Sequence, residues 1–392
     1  MVIRIKDWNS RFAAALPVLL GLVLTIDVAR AQAQIYTVLY DFANGELPYG
    51  RLTKDENGNL YGTAKYGGSD GFGIAYKLDT SGNLSTLRNF QPGDTGIEPV
   101  GGLVFTGGYL YGTTSLGTFG CGVAFKLDLT GAFTRLHDFQ SVQNTDGCVP
   151  QASMVQDATG NLYGTTSSGG NLGFGTVFKI DAAGNYSVLY NFAGPPVDGA
   201  FPAQGSLALD ETGNLFGTTV SGGSFNDGAI FRLKPNGQET ILHHFTGGRD
   251  GRSPRGTLVH SKGGLLLGSV PYGGSDQSCF KGCGIIIGLD SNGRGAVFHN
   301  FEYVSDGGVP AGGLAQDAAG NLYGATTVGG PFGFGAIFKL DSSGREIILH
   351  GFDYLDGSVP FGTLFLDMAG NLYGTTLYGG AFGSGVVFKV TQ

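Results

Sequence analysis

Asn-Leu-Tyr-Gly-Thr-Thr, at Asn161–Thr166, recurs with small changes along the chain and sets its period. The seven copies share one glycine, and successive copies lie 50 to 56 residues apart. These glycines are Gly62, Gly112, Gly164, Gly217, Gly268, Gly324 and Gly374. A fixed period of about this length is typical of solenoids, propellers and other repeat arrays.

Each repeat has the pattern of four short strands. In the third repeat these are Ala152–Asp157, Asn161–Thr166, Thr176–Asp181 and Tyr186–Phe192. The segments are rich in aromatic and β-branched residues and are bounded by Gly and Asp, which are strand and hairpin signals. No segment after residue 33 has the 3.6-residue apolar period of a helix. The sequence therefore predicts an all-β domain.

The order of strands at the two ends predicts how the domain closes. The repeat region begins with a fourth-strand motif, Tyr36–Phe42, and ends with a third-strand motif, Val386–Thr391. A propeller closes in this way, because the first strand completes the last blade and leaves no open edge. A linear solenoid would instead need polar end caps. We therefore expect residues 34–392 to form a seven-bladed β-propeller of four-stranded blades.

The first 33 residues resemble a signal peptide. Arg4, Lys6 and Arg11 precede an apolar stretch at 12–26, and Ala31-Gln32-Ala33 fits a small-residue cleavage site. The apolar stretch is short for a spanning helix, and none follows it. We expect cleavage, with retention as an anchor the alternative, and a secreted, cell-surface or periplasmic protein. The mature chain is expected to lack a membrane span.

Composition narrows the classes of partner. The formal net charge is −8 and no basic stripe is visible, so we expect no nucleic-acid partner. We also expect a monomer.

Four cysteines in an exported chain favour disulfides. They allow three pairings. Cys121 and Cys148 are predicted to lie on the same face, and Cys279 and Cys283 are close in sequence. We therefore pair Cys121 with Cys148, and Cys279 with Cys283. Zinc binding is the alternative, but it usually needs histidine support at suitable spacing.

Taken together, the repeated motifs resemble the GloVer tandem repeat of bacterial exported proteins. The resemblance rests on Gly-Asn-Leu-Tyr-Gly-Thr-Thr, on Val-Phe-Lys-Leu-Asp in the third strand and on Leu-x-x-Phe in the fourth. It covers about residues 36–392. It implies a secreted or surface protein and brings no catalytic residues with it. Family members often carry a C-terminal anchor, but no sorting tail precedes Gln392, so none is expected here.

The chemistry-bearing residues give no clear active site. Four of the six histidines share one position of the fourth strand and are therefore at least a blade apart. They cannot share a metal or act as one base, so we predict no catalytic residue and no metal ligand. Repeated aspartates fit hairpin turns. Calcium is the alternative cofactor, with Asp55-Glu-Asn-Gly-Asn59 as its best site.

Aromatic residues in the loops between second and third strands are the candidate binding residues. They are Tyr66, Phe119, Phe174, Phe225, Tyr272, Phe332 and Tyr378. They would either stack on an extracellular glycan or peptide, or seal the gaps between blades.

The sequence therefore favours an exported, non-catalytic binding or interaction module. The alternative is an exported polysaccharide hydrolase or lyase with its site at the channel mouth. Five aspartates predicted on the loop face favour a neutral or cationic ligand. They are Asp146, Asp198, Asp250, Asp306 and Asp356.

Cleavage of the signal peptide can be tested by fluorescence and mass. Trp8 is the only tryptophan of the chain and precedes the predicted cleavage site. The secreted protein should therefore emit as tyrosine alone, and its intact mass should begin near Gln32 or Gln34. Tryptophan emission from purified secreted material would contradict cleavage.

Overall fold

A computed structural model describes residues 34–392, except 94, 118–119, 141–144, 203, 262–263 and 291. Seven antiparallel four-stranded sheets form a ring, which confirms the seven-bladed β-propeller. The described part of the chain contains no helix, and hence none long and apolar enough to cross a membrane. The predicted signal peptide lies outside these residues.

In each blade the strands run in order from the channel to the outer rim. The innermost strands are Thr53–Lys54, Val104–Thr106, Val155–Gln156, Ala208–Leu209, Val259–His260, Ala315–Gln316 and Phe365–Leu366. The second strands are Leu60–Ala64, Tyr109–Thr114, Leu162–Thr166, Leu215–Thr219, Leu266–Val270, Leu322–Thr326 and Leu372–Tyr378. The third strands are Ile74–Leu78, Gly120–Asp128, Thr176–Ile180, Ala229–Leu233, Ile285–Leu289, Ala336–Leu340 and Val386–Thr391.

The outermost strands include one from the N-terminus. They are Leu84–Asn89, Phe133–Gln140, Tyr186–Asn191, Glu239–His244, Gly295–Asn300, Glu346–Gly351 and Ile35–Asp41. Ile35–Asp41 pairs antiparallel with Val386–Thr391 in blade seven, with Ile35 opposite Thr391. The N-terminal strand thus closes the ring, as the sequence predicted. Two further short strands, Gly199–Ala200 and Ser221–Gly222, pair with each other, and Ser358–Pro360 pairs with the second strand of blade seven.

The innermost strands are shorter than predicted. We expected Ala152–Asp157, but only Val155–Gln156 pairs within its sheet. Ala152 instead packs against the neighbouring blade, where a Cβ added to Gly101 would lie 2.7 Å from its carbonyl oxygen. Backbones converge near the axis, so these residues contact the next blade rather than extending the ladder.

The shared glycine of the repeat makes room for an aromatic ring. A Cβ on Gly164 would lie 2.5 Å from Cζ of Phe178, which stands opposite it in the third strand. The same close approach occurs in every blade except the fifth, where Ile287 takes the aromatic position. The ring occupies the volume that a side chain at the glycine would need, so both residues recur together.

The two threonines after that glycine hold different neighbours. Thr63 donates a hydrogen bond of 2.9 Å to the Gly101 carbonyl of the next blade. Thr166, in the second position, accepts one of 3.2 Å from the backbone N–H of Thr176 and so fixes the loop between second and third strands. The repeat thus contains residues that fix a loop within one blade and residues that bond to the next blade.

Two disulfides are present, with the pairing expected from the sequence. Cys121–Cys148 connects blade two to the loop leading into blade three, over a separation of 27 residues. Cys279–Cys283 is a local link over 4 residues. Because loop-closure entropy grows with separation, the first stabilises more, by roughly 3–4 kcal/mol against about 2.

Ring closure can be tested by deleting residues 34–41 from a protein that begins at Gln34. The third strand of blade seven would lose its outer partner and expose unpaired backbone groups. We expect the deletion variant to aggregate, as measured by light scattering. Its melting temperature should be lower than that of the protein that begins at Gln34. A monomeric variant that melts like this control would contradict closure by the N-terminal strand.

Candidate ligand-binding site in the central channel

Segments just before the innermost strands form a narrow collar around the axis. Added Cβ atoms at Gly50, Gly256 and Gly312 would lie within 2.6 to 2.8 Å of backbone in the adjacent blade. The collar divides the channel into two halves. The half on the side of the loops between second and third strands encloses about 40 Å³, and the other half about 590 Å³.

The smaller half, here called the upper mouth, is lined by one short motif from each blade. The motif is Pro-x-Gly-x-Leu, as in Pro48–Leu52 and Pro254–Leu258, with Pro150–Met154 as its variant in blade three. The x positions place Arg51, Gln151 and Arg255 at the mouth, together with Ser153, Ser206 and Thr363. Among the described residues that line it, the two arginines are the charged side chains. Blade four carries one extra residue in this motif, which places Gln204 there as well.

Two polar atoms at the upper mouth are buried and have no partner in the described part of the chain. They are Nε of Arg255, a donor, and Oε1 of Gln204, an acceptor. Gln204 also has a φ of 58°, in the left-handed region that costs energy for a residue other than glycine. The two residues are on adjacent blades, because a Cβ on Gly205 would lie 2.7 Å from the Arg255 carbonyl. A buried donor and acceptor without partners favour a ligand or water that bonds both.

Aromatic residues form one side of the rim. Tyr49 and Phe361 are also x residues of the motif, and their rings lie 5.4 Å apart at an angle of 69°. Burial raises the pKa of Tyr49; Lys65 opposes this, while the neighbouring Tyr378 and Tyr66 raise it further. Lys65 Nζ lies 5.9 Å from the ring centroid of Tyr49 and 4.9 Å from that of Tyr66, so this sequence-predicted ring is close to Tyr49.

The remaining predicted rings are distributed around the loop face. Phe225 and Phe332 are exposed, as are Tyr66 and Tyr378. Phe174 and Tyr272 are half-buried, and Phe174 packs against Phe201 at 5.7 Å. Phe119 lies outside the described residues. Their ligand-binding role stays a prediction.

The aspartates of the first hairpin turn serve the turn itself. Asp157 accepts hydrogen bonds from the backbone and side chain of Asn161 and from the Tyr163 hydroxyl. Burial raises the pKa of Asp157, but these hydrogen bonds outweigh it and hold the pKa below its usual range. Asp55 has the same three bonds with Asn59 and Tyr61. The calcium hypothesis for Asp55–Asn59 stays a prediction.

The sequence interpretation missed the residues of the upper mouth. Arg51, Gln204 and Arg255 occupy the variable positions of a repeated motif, whereas the sequence pattern is defined by the residues that recur. Comparing each position in all seven repeats would have separated Gln204 and Arg255 from Val100 and Ala311, and Arg51 from Gly102 and Gly313.

A family model described as the Gloeobacter/Verrucomicrobia repeat matches residues 18–211, 108–281 and 204–392. The chain belongs to this repeat family. No curated protein sequence matches this repeat protein.

Solved structures of other proteins have a fold similar to that of this chain. One is the extracellular domain of a candidate hybrid two-component system from B. thetaiotaomicron, with a TM-score of 0.56 and 11% identity. The match covers 90% of this chain but only 39% of that one. Another is a candidate 6-phosphogluconolactonase from Bacteroides uniformis, with a TM-score of 0.52 and 17% identity over 84% and 89% of the chains. At these identities the likeness concerns the fold alone.

The five aspartates expected to make the loop face acidic each contact a side chain on the outermost strand of the preceding blade. Four contact the fourth-strand histidines, and the fifth, Asp198, accepts a hydrogen bond of 2.8 Å from the Tyr190 hydroxyl. The histidine pairs are His137–Asp146, His243–Asp250, His299–Asp306 and His350–Asp356. Because these carboxylates already have partners, they do not by themselves favour a neutral or cationic ligand.

The same histidine position also forms the outer seam between repeats. His137 stacks on Tyr186 of the next blade with ring centroids 3.6 Å apart, and His350 stacks on Tyr36 at 3.7 Å. Tyr186 and Tyr36 are located at or near the start of the outermost strand. At two seams this strand instead starts with a glutamate, Glu239 or Glu346.

These two glutamates are in unfavourable surroundings for a charge. Burial raises the pKa of Glu239 to about 7, and Asp198 adds to the shift. Burial also raises the pKa of Glu346, with Asp306 and Glu302 contributing. Oε1 of each glutamate is buried without a hydrogen-bond partner in the described chain.

Glu239 should make folding stability depend on pH. Between its ordinary pKa and about 7, the folded protein keeps a proton that the unfolded chain has lost, so stability falls as pH rises through this window. Glu239→Gln should remove that fall. Relative to the wild type, its free energy of unfolding should therefore be higher at pH 8 than at pH 5, by on the order of 1 kcal/mol.

Urea unfolding at both pH values measures the difference, with the exposed Glu211→Gln as the matched control. Equal pH dependence in the wild type and Glu239→Gln would contradict the assignment.

Proposed function

We propose that the protein is an exported, non-catalytic module that binds an acidic glycan at the upper mouth of its channel. The observation that carries the proposal is a pair of buried atoms there, Nε of Arg255 and Oε1 of Gln204, which have no hydrogen-bond partner among the described residues. A carboxylate would accept from the arginine, and a neighbouring hydroxyl would donate to the glutamine. Both groups occur together on a uronic acid.

The charge of the upper mouth supports an acidic ligand. Its described lining contains Arg51 and Arg255 but no aspartate or glutamate. A guanidinium presents paired donors that match the two oxygens of a carboxylate. The proposal therefore replaces the neutral or cationic ligand inferred from the sequence.

Size and shape support a saccharide held at the surface. The enclosed volume of about 40 Å³ has room for a carboxylate or a few waters, but not for a sugar ring. The ring would lie outside, against Tyr49, Phe361 and the exposed Tyr66 and Tyr378. Aromatic side chains with one wet edge suit such contacts.

The same lining favours binding over hydrolysis. Glycosidases generally use two carboxyl groups on either side of the scissile bond, and the described residues of the upper mouth offer none. Export is supported by the two disulfides, which persist in oxidising compartments. The extracellular neighbour shares only the fold.

The proposal predicts selective binding of oligogalacturonate by the mature protein in isothermal titration calorimetry. Its methyl-esterified form, which lacks the charge, should bind at least about tenfold more weakly. Arg255→Met should weaken oligogalacturonate binding by roughly 10- to 100-fold, since a charged hydrogen bond is lost. Arg345→Met, at an exposed hairpin, is the matched control and should bind like the wild type.

Equal affinity for both glycan forms, or no effect of Arg255→Met, would contradict the proposed site. Each bound glycan should also be incubated with the protein and examined for new reducing or unsaturated ends. Turnover would favour the hydrolase or lyase alternative, and binding of a peptide library alone would favour a peptide partner.

A further inference from the structure

The seam between blades five and six contains a cluster found at no other seam of the described chain. His299, Asp306 and Glu346 bring one nitrogen and two carboxylate oxygens within 4.8 Å of one another. His299 Nε2 lies 2.8 Å from Asp306 Oδ2 and 3.6 Å from Glu346 Oε2. We call these three residues the His299 cluster.

We propose that the His299 cluster binds a zinc ion that links the outer strands of blades five and six. Zinc takes imidazole nitrogen and carboxylate oxygen at about 2.0–2.2 Å, and three protein ligands with an open position make a common site. Donors bound to one such ion are roughly 3–3.5 Å apart, so small side-chain rotations would bring this cluster to that spacing. Calcium is less suited, because it requires six to eight oxygens.

Comparison with the other seams shows what is unusual here. Where His137 and His350 stack on a tyrosine, the seam is filled by two packed rings. At His299 the position of that tyrosine is occupied by Glu346, and its carboxylate lies near the carboxylate of Asp306. The side chain of Asp306 is only 5% exposed and that of Glu346 16%. Two carboxylates so placed repel each other unless a proton or a cation lies between them.

The surroundings of the cluster orient its ligands. The backbone N–H of Glu302 donates to Asp306 Oδ1, which leaves Oδ2 directed at His299. Glu346 Oε1 is buried and has no partner among the described residues. An ion at this place would neutralise the excess negative charge and engage the unpartnered oxygen. Outer contacts of this kind commonly fix the ligands of metal sites.

The test is calorimetric titration of untagged, chelator-treated mature protein with zinc chloride. We expect one zinc per chain and a rise in melting temperature of a few degrees when zinc is in excess. Glu346→Gln should weaken binding at least tenfold. Glu346→Tyr copies the stacked seam of Tyr186 and should abolish binding while preserving the fold.

The matched control is Glu239→Gln, which removes a buried glutamate at the seam of blades three and four, where Tyr190 replaces histidine. It should leave zinc affinity unchanged. The proposal is overturned if the wild type shows no saturable site, or if Glu346→Gln and Glu346→Tyr bind zinc as the wild type does. In that case a proton shared by the two carboxyl groups accounts for the cluster.

Discussion

The third-strand aromatic ring that lies over the second-strand glycine is the contact on which the blades depend. It requires a glycine at one position and a large ring at another, about fourteen residues later in the chain, as with Gly164 and Phe178. Interiors are packed closely enough that neither residue can change size alone. This coupled requirement explains why the repeat remains visible over seven copies. It also explains the exception, because blade five has Ile287 in place of the ring and Gly268 then faces Leu258.

Neighbouring blades are joined by a second set of small residues. A Cβ on Gly175 would lie 2.8 Å from Cδ of Pro202 in the next blade, and the same glycine–proline contact recurs at other seams. Near the axis, glycines allow backbones of adjacent blades to touch. Since each seam uses residues from two repeats, a blade cannot bury its surfaces alone. Ile35–Asp41 completes blade seven and so supports the seams on both sides of this blade.

The fold could be predicted from the sequence because its determinants repeat. The glycine of the Asn-Leu-Tyr-Gly-Thr-Thr motif lies against a third-strand ring in six of the seven blades, and this repetition makes the pattern clear. Closure of the ring could be predicted because the repeat region begins with a fourth-strand motif. The pairing of Cys121 with Cys148 could be predicted because both were expected on the same face. The length of the first strand was wrong, since sequence alone does not show where convergence at the axis replaces strand pairing.

The candidate site was less accessible to sequence reasoning, for a physical reason. Residues that recur are those that every blade needs, whereas a ligand approaches the ring from one direction and meets particular blades. Gln204 and Arg255 differ from their counterparts Val100 and Ala311. The same holds at the outer rim, where Glu239 and Glu346 occur where other blades place uncharged residues such as Tyr186. A buried glutamate without a partner weakens a seam that a tyrosine would fill. In a repeat protein, such a costly departure at one copy indicates function better than any residue shared by all.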